Sequence, residues 1–319
     1  VARYFGDIPA TPSMAQPKID VAPLAKSTRA TMTDQVPQAR VHRVWNVAQT
    51  GTTDFDKLQL FAQVLGGSRS SRLDRRLLHE DKLVDNVSAA AYGMQLGSNF
   101  IITADVKQGV DPAKVEAVID EEVRKLLKDG PNKAELEQAR TVFKAGFVRG
   151  IERIGGFRGK ADGLPGGPVY TRAPGGFRLN LKTTETASAS DIKAVGNEWL
   201  GKGSHTLVVV PGPRTVIAED PSVTPAPLVL PAVDPKYTTT ASTVDRSKGV
   251  PLTRTFPDLK FPALQRATLK NGTKVILAER HDIPVVQMSY EFKGGFSADQ
   301  GRKLGTSSFA MGMLDEGAG

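Results

Sequence analysis

Three stretches, Val84–Tyr92 (VDNVSAAAY), Asn99–Val106 (NFIITADV) and Asp111–Leu127 (DPAKVEAVIDEEVRKLL), decide the fold, because the apolar period changes between them. The first two read as strands, and the short link around Gly93 to Ser98 makes them an antiparallel hairpin. In the third, Asp111 is an N-cap and Pro112 takes the first helical position. Val115, Val118, Ile119, Val123, Leu126 and Leu127 then recur at helical spacing, giving one apolar stripe. A hairpin that leads into an amphipathic helix places the chain in the α+β class.

Working outward, Val41–Val47 alternates apolar and polar side chains as a half-buried strand does. Asp54 is the expected N-cap of a helix that carries Phe55, Leu58, Leu60, Phe61, Val64 and Leu65 inward and stops at Gly66-Gly67. A second helix is expected over Ser70–Glu80, with Leu73, Leu77 and Leu78 buried and Arg72, Arg75 and Arg76 outside. Gly130-Pro131 breaks the chain, and Asn132 caps a helix expected to run to about Ile154. Glycines crowd Gly155 to Gly176, so no conformation is assigned there. Ser190-Asp191 opens a helix through Trp199 and Leu200, and the apolar run His205–Val210 predicts a buried strand ended by Pro211.

Prolines and small polar residues over 7–38 predict an extended connector, and a longer proline-rich run over 213–262 predicts a linker. Beyond it, Leu264–Leu269 and Lys274–Ala278 flank Asn271-Gly272 as a hairpin, Val285–Phe292 predicts a further strand, and Arg302–Leu314 a helix. The resulting division is 1–35, 36–212, 213–262 and 263–319. Val1 is not an initiator methionine and no charged-then-apolar leader follows it, so a piece of something longer is expected.

Composition narrows the function classes. With 39% apolar, 24% charged and 6% aromatic residues, the chain suits a globular protein, and no apolar run approaches the roughly 20 residues of a membrane-spanning helix. The absence of cysteine removes disulfides, thiolate zinc sites and cysteine nucleophiles, and it suits an oxidising compartment. A net charge of +8 raises nucleic acid as a partner, but the basic residues interleave with acidic ones, as in Asp74-Arg75-Arg76, which describes a solvated mixed surface. His42, His79, His205 and His281 lack a second ligand at helical spacing; Leu83 stands where His79-Glu80 would need one. No G-x-S-x-G elbow occurs, and Gly155–Lys160 follows a helix and precedes Ala161, so it is no phosphate loop.

Several strings in order resemble the second domain of a pitrilysin/insulinase-family (inverzincin) zinc metallopeptidase. They are Tyr4–Pro9 (YFGDIP), Val64–Leu73 (VLGGSRSSRL), Asp129–Leu136 (DGPNKAEL) and Gly150–Asp162 (GIERIGGFRGKAD). Leu269–Val286 and Phe292–Gly295 resemble the opening of the next repeat, which in that family leads past a glycine into the inverted zinc motif H-x-x-E-H. After Gly305, that register puts Ser308 and Gly312 at the two histidine positions and Met311 at the glutamate. The family's arginine–tyrosine helper pair would fall near Leu78 and Asp85.

The resemblance implies the middle of a two-repeat bacterial enzyme: the end of one domain with its connector, a complete second domain over 36–212, a linker, and a degenerate opening of the second repeat over 263–319. It implies a two-layer sandwich with helices on one face of a mostly antiparallel sheet. No catalytic, cofactor-binding or metal residue is assigned, and no cofactor is expected here, whereas zinc is expected in the parent enzyme. The implied partners are a peptide substrate and the remaining domains or a homologous subunit, in a periplasmic or secreted setting. The alternative is a non-catalytic scaffold or processing subunit of the same fold.

Overall fold

The computed structural model describes residues 19–153, 175–214, 260–314 and isolated positions between 232 and 258. Contacts divide the chain into two units that meet in sequence at Phe261 and Pro262. The expectations for Tyr4–Pro9, for the glycine-rich run from Gly155 to Arg172 and for most of 213–262 lie outside the described residues.

In the first unit the strands are β1 (Thr28–Asp34), β2 (Arg40–Val47), β3 (Val84–Tyr92), β4 (Ser98–Val106) and β5 (His205–Pro211). They form one sheet in the order β1-β5-β2-β4-β3, antiparallel throughout except for β1 beside β5. The helices are α1 (Thr53–Gly66), α2 (Asp74–Glu80), α3 (Pro112–Asp129), α4 (Lys133–Gly150), α5 (Gly176–Thr186) and α6 (Ala189–Leu200). This is an α+β fold.

The strand period sends Val41, Trp45 and Val47 to one face together with Phe100, Ile102, Ala104, Val87 and Val208, and these are buried. The apolar stripes of α1, α3 and α6 close over them, with Leu58, Phe61, Ile119, Leu126 and Ile192 inaccessible to water. Phe100 sits at the centre, edge-on to Trp45 at 5.8 Å and to Phe61 at 5.9 Å between ring centroids. Gly196 lets α6 lie against α1, since a Cβ there would stand 2.5 Å from the Phe61 ring.

The helix starts follow local polar chemistry. Asp111 accepts from the Ala113 N–H at the head of α3, and Asn132 with Glu135 forms a capping box on α4. Elsewhere the cap lies two residues before the expected one. Thr52 accepts from the Phe55 N–H, leaving Asp54 in the first turn to accept from Trp199 Nε1 at 3.2 Å. Ser188, boxed with Asp191, starts α6.

Four expectations are corrected. Thr28–Asp34, placed in a connector, is strand β1: its residues pair in parallel with His205–Pro211, whose free edge would otherwise expose unpaired amides. Over Ser70–Glu80 the helix is π-wound from Asp74, and its exit at Lys82 has a φ of 54°. The wide turn keeps Leu73 and Leu77 buried while Leu78 slides half out. The apolar run of β5 is buried at Thr206 and Val208 only, because helices cover a single face. Val285–Phe292 forms no strand.

The second unit holds β6 (Leu264–Thr268) paired antiparallel with β7 (Lys274–Ala278), a 3₁₀ turn at Gly295–Asp299 and α7 (Thr306–Gly312). The hairpin turn uses Gly272 at φ 85° after a Gly272 N–H to Leu269 carbonyl bond of 2.9 Å. Asn271 keeps a negative φ, so the loop is a three-residue turn ending in a glycine bulge rather than a two-residue Asn-Gly turn.

Two stability outcomes follow. Phe100→Ala should cost about 3–5 kcal/mol in urea unfolding, given the ring's complete burial; a loss under about 1.5 kcal/mol would show that the aromatic cluster is not central. Asp56 is buried on α1, its carboxylate accepting from Asn180 Nδ2 at 2.5 Å, and burial raises its pKa against that bond. A carboxylate raised on folding makes stability fall as pH rises through the folded pKa. Asp56→Asn should therefore flatten the pH dependence of thermal stability above the usual carboxylate range, and an unchanged profile would contradict this.

Candidate functional site

Helices cover one face of the first unit's sheet, and the alternate side chains build the other. Strand register arranges them in cross-strand rows: Thr28, His205, Val44, Ile101 and Ala90; then Ala30, Leu207, His42, Thr103 and Ser88; then Met32, Val209, Arg40, Asp105 and Asn86. The surface is mixed, with half-buried Val44, Ile101, Leu207 and Val209 set among hydroxyls, amides and charges.

A cavity of about 450 Å³ opens at the Arg40 end of this face, between Asp34, Gln38, Arg40, His42, Asp85 and Asp105. Arg40 Nε donates to Asp105 Oδ1 at 2.5 Å, and Gln38 Nε2 donates to Asp85 Oδ2 at 3.2 Å. His42 Nδ1 lies 3.3 Å from Thr103 Oγ1. Burial, aided by the Arg40 cation and opposed by Asp105, lowers the His42 pKa, which favours the neutral ring near pH 7. A second, apolar cleft of about 610 Å³ runs between α1, the edge strand β3 and α4, lined by Leu60, Ala62, Ala89, Ala91, Val142 and Phe147.

Neither hollow carries a nucleophile with its base. Among the described residues no group of three or more His, Asp or Glu side chains could hold a metal ion. The four histidines are dispersed: His79 Nε2 is 3.3 Å from Asp74 Oδ1, His205 Nδ1 2.8 Å from Thr28 Oγ1, and His281 Nε2 3.2 Å from Glu279 Oε2. What the open face offers is an extended, amphipathic surface.

The residues singled out by the zinc-motif register sit on α7 of the second unit, where Ser308, Met311 and Gly312 are exposed on adjacent turns. Sequence reading overlooked what fixes that helix. Gly305 has a φ of 90°, and the Asp299 carboxylate accepts from the Gly305 N–H at 2.9 Å and from the Ser307 N–H and hydroxyl at 3.2 and 2.7 Å. The Ser307 hydroxyl bond, helped by these amides, holds Asp299 below the usual carboxylate range. The helper-pair positions are separated in role: Leu78 packs half-buried against the core, and Asp85 meets Gln38 at the open face.

Residues 1–143 match the family model described as the Peptidase M16 inactive domain, which bears out the resemblance read from the motifs. A crystal structure of a protease from Helicobacter pylori superposes with a TM-score of 0.56 at 18% identity, covering 66% of this chain and 50% of that one. The M16 inactive domain from Pseudomonas fluorescens gives 0.52 at 18% identity, with 66% and 48% covered. The periplasmic protease PqqL from Escherichia coli gives 0.50 at 14% identity, with 66% and 23% covered. The chain thus spans about half the length of the first two relatives, and it shares their fold. No curated protein is similar enough in sequence to match it.

The two faces of β4 give a direct contrast. Ile102 is fully buried under the helices, whereas Ile101 lies on the open face. Ile102→Glu should unfold the domain or cost more than about 4 kcal/mol, and Ile101→Glu should cost less than about 1 kcal/mol by thermal melting. Equal losses would mean that something covers both faces.

Proposed function

We propose that this chain is a non-catalytic segment of a zinc-dependent metalloendopeptidase of the pitrilysin/insulinase type, which hydrolyses peptides in a chamber built from two halves. The match of residues 1–143 to an inactive M16 domain carries this reading. The open sheet face is then part of the chamber wall: its apolar rows take peptide side chains, and its hydroxyls, amides and charges take the backbone and polar groups. The helix-covered face supports it from behind.

The zinc of such an enzyme does not fit here. Two imidazoles one helical turn apart bind the metal and a glutamate activates its water. Ser308 has a hydroxyl that remains protonated at neutral pH, Gly312 has no side chain, and the Met311 thioether cannot act as a base. Zinc and the water-activating carboxylate must come from the remaining domains of the parent chain or from a homologous subunit. No helix among the described residues is long and apolar enough to cross a membrane. We place the protein in the periplasm or outside the cell, on the absence of cysteine and the likeness to a periplasmic protease.

Two measurements test the reading. Metal analysis of the dialysed chain should find far less than one zinc per chain, and about one tightly held zinc would overturn the site assignment. In a fluorogenic peptide assay the chain alone should be inactive, while the parent protein should show hydrolysis that a chelator removes. A parent that stays inactive with added zinc would favour the scaffold instead.

A further inference from the structure

We infer that the arginine–serine elbow between α1 and α2 is an oxyanion-binding site facing the start of α4. The segment Ser68-Arg-Ser-Ser-Arg72 turns beside Asn132, and a cavity of about 410 Å³ opens between Arg69, Ser70, Arg75, Asn132, Ala134 and Gln138. Two guanidinium groups therefore stand at the N-terminus of an 18-residue helix, where unpaired amides and the helix dipole favour negative charge. The capping box serves Glu135 and Asn132, and the Leu136 N–H goes to the Asn132 carbonyl. The N–H groups of Lys133 and Ala134 are left to face an acceptor.

A separate observation points inward from that cavity. A smaller hollow, with room for one water-sized group, shares Ser70, Glu135 and Gln138 with it and is also lined by Ser71. Ser71 is only 4% exposed, and its hydroxyl has no hydrogen-bond partner. A buried hydroxyl without a partner costs about 1–3 kcal/mol, which an anion oxygen or a water entering the hollow would recover.

The carboxylate of Glu135 does not repel such a ligand as a free charge would. Arg72 clamps it with two bonds of 2.8 Å and the Asn132 N–H adds a third at 2.8 Å. Arg76 is paired with Asp81 at 2.7 Å and is not among the residues that line the cavity. Arg75 makes a long 3.5 Å contact to the Ser70 carbonyl and acts electrostatically on the Glu135 carboxylate, and it lines the cavity a ligand would enter. The ligand class is a carboxylate or phosphate oxyanion, and the inference stands whether or not the parent is a peptidase.

Amide chemical-shift titrations of the whole chain with sodium phosphate, and separately with sodium acetate, at constant ionic strength set by chloride, test this. The expected result is saturable shifts at Ser70, Ser71 and Ala134. Arg75→Ala should weaken binding about tenfold, Ser71→Ala about fivefold, and Arg76→Ala should leave it unchanged. Stronger binding of phosphate assigns a phosphorylated ligand, and equal or stronger binding of acetate assigns a carboxylate. Shifts that do not saturate, that survive Arg75→Ala at full strength, or that Arg76→Ala reduces equally would overturn the site. Arg75→Lys, which keeps charge without the fork, gives a second reading should the alanine variant unfold; unweakened binding of phosphate there would also count against it.

Discussion

The first unit depends on burying one face of its sheet and only one. Val41, Trp45, Phe100, Ile102, Ala104 and Val208 form that face, and none exceeds 2% exposure. Each large side chain so buried contributes about 1.5–3 kcal/mol. A one-residue slip in any central strand would exchange these residues for His42, Thr103 or Asp105. The register is thereby fixed from the core outward. The open face inherits its rows from the buried one, and half-buried Val44, Ile101, Leu207 and Val209 are set there among polar groups.

One residue departs from the apolar rule on the covered face. Arg43 lies between Ile102 and Thr206 in the register, under α3. It pairs with Asp120, donates to Ser204 Oγ at 3.0 Å and stands 5.2 Å from the centre of the Trp45 ring. Burial lowers its pKa, yet a guanidinium stays charged at any ordinary pH. The same row continues to Arg29, which clamps Glu116 of α3 with bonds of 3.1 and 3.0 Å. These two arginines tie α3 to β2 and to β1, fixing a helix position that apolar contact alone leaves free to slide.

Much of this was legible in the sequence because the signals were local. The 3.6-residue stripe of α3 and the two strands β3 and β4 are set by neighbours within a few residues, and the bounds of the two strands were read within one position. Strand β1 was missed because Thr28–Asp34 has little apolar content and owes its structure to an edge offered by β5, more than 170 residues away. The cap at Thr52 lost to Asp54 in the reading because either side chain can serve, and a distant indole, Trp199, takes Asp54. The π winding of α2 depends on seating Leu73 and Leu77 beneath other elements, which no local pattern records. The open-face cavity joins Asp34, His42, Asp85 and Asp105 from four strands, so no spacing along the chain could announce it.

On α7 the residues that frame the helix are not the ones its outer turns expose. α7 begins at a left-handed glycine, and Asp299 gathers the Gly305 and Ser307 amides. Framing a helix requires a carboxylate, a glycine and hydrogen bonds to the first turn. Binding zinc requires particular side chains on the next turn. The two requirements fall on different residues: Asp299, Gly305 and Ser307 meet the first, and Ser308, Met311 and Gly312 take no part in it. A helix framed in this way is therefore, by itself, no evidence for a reaction.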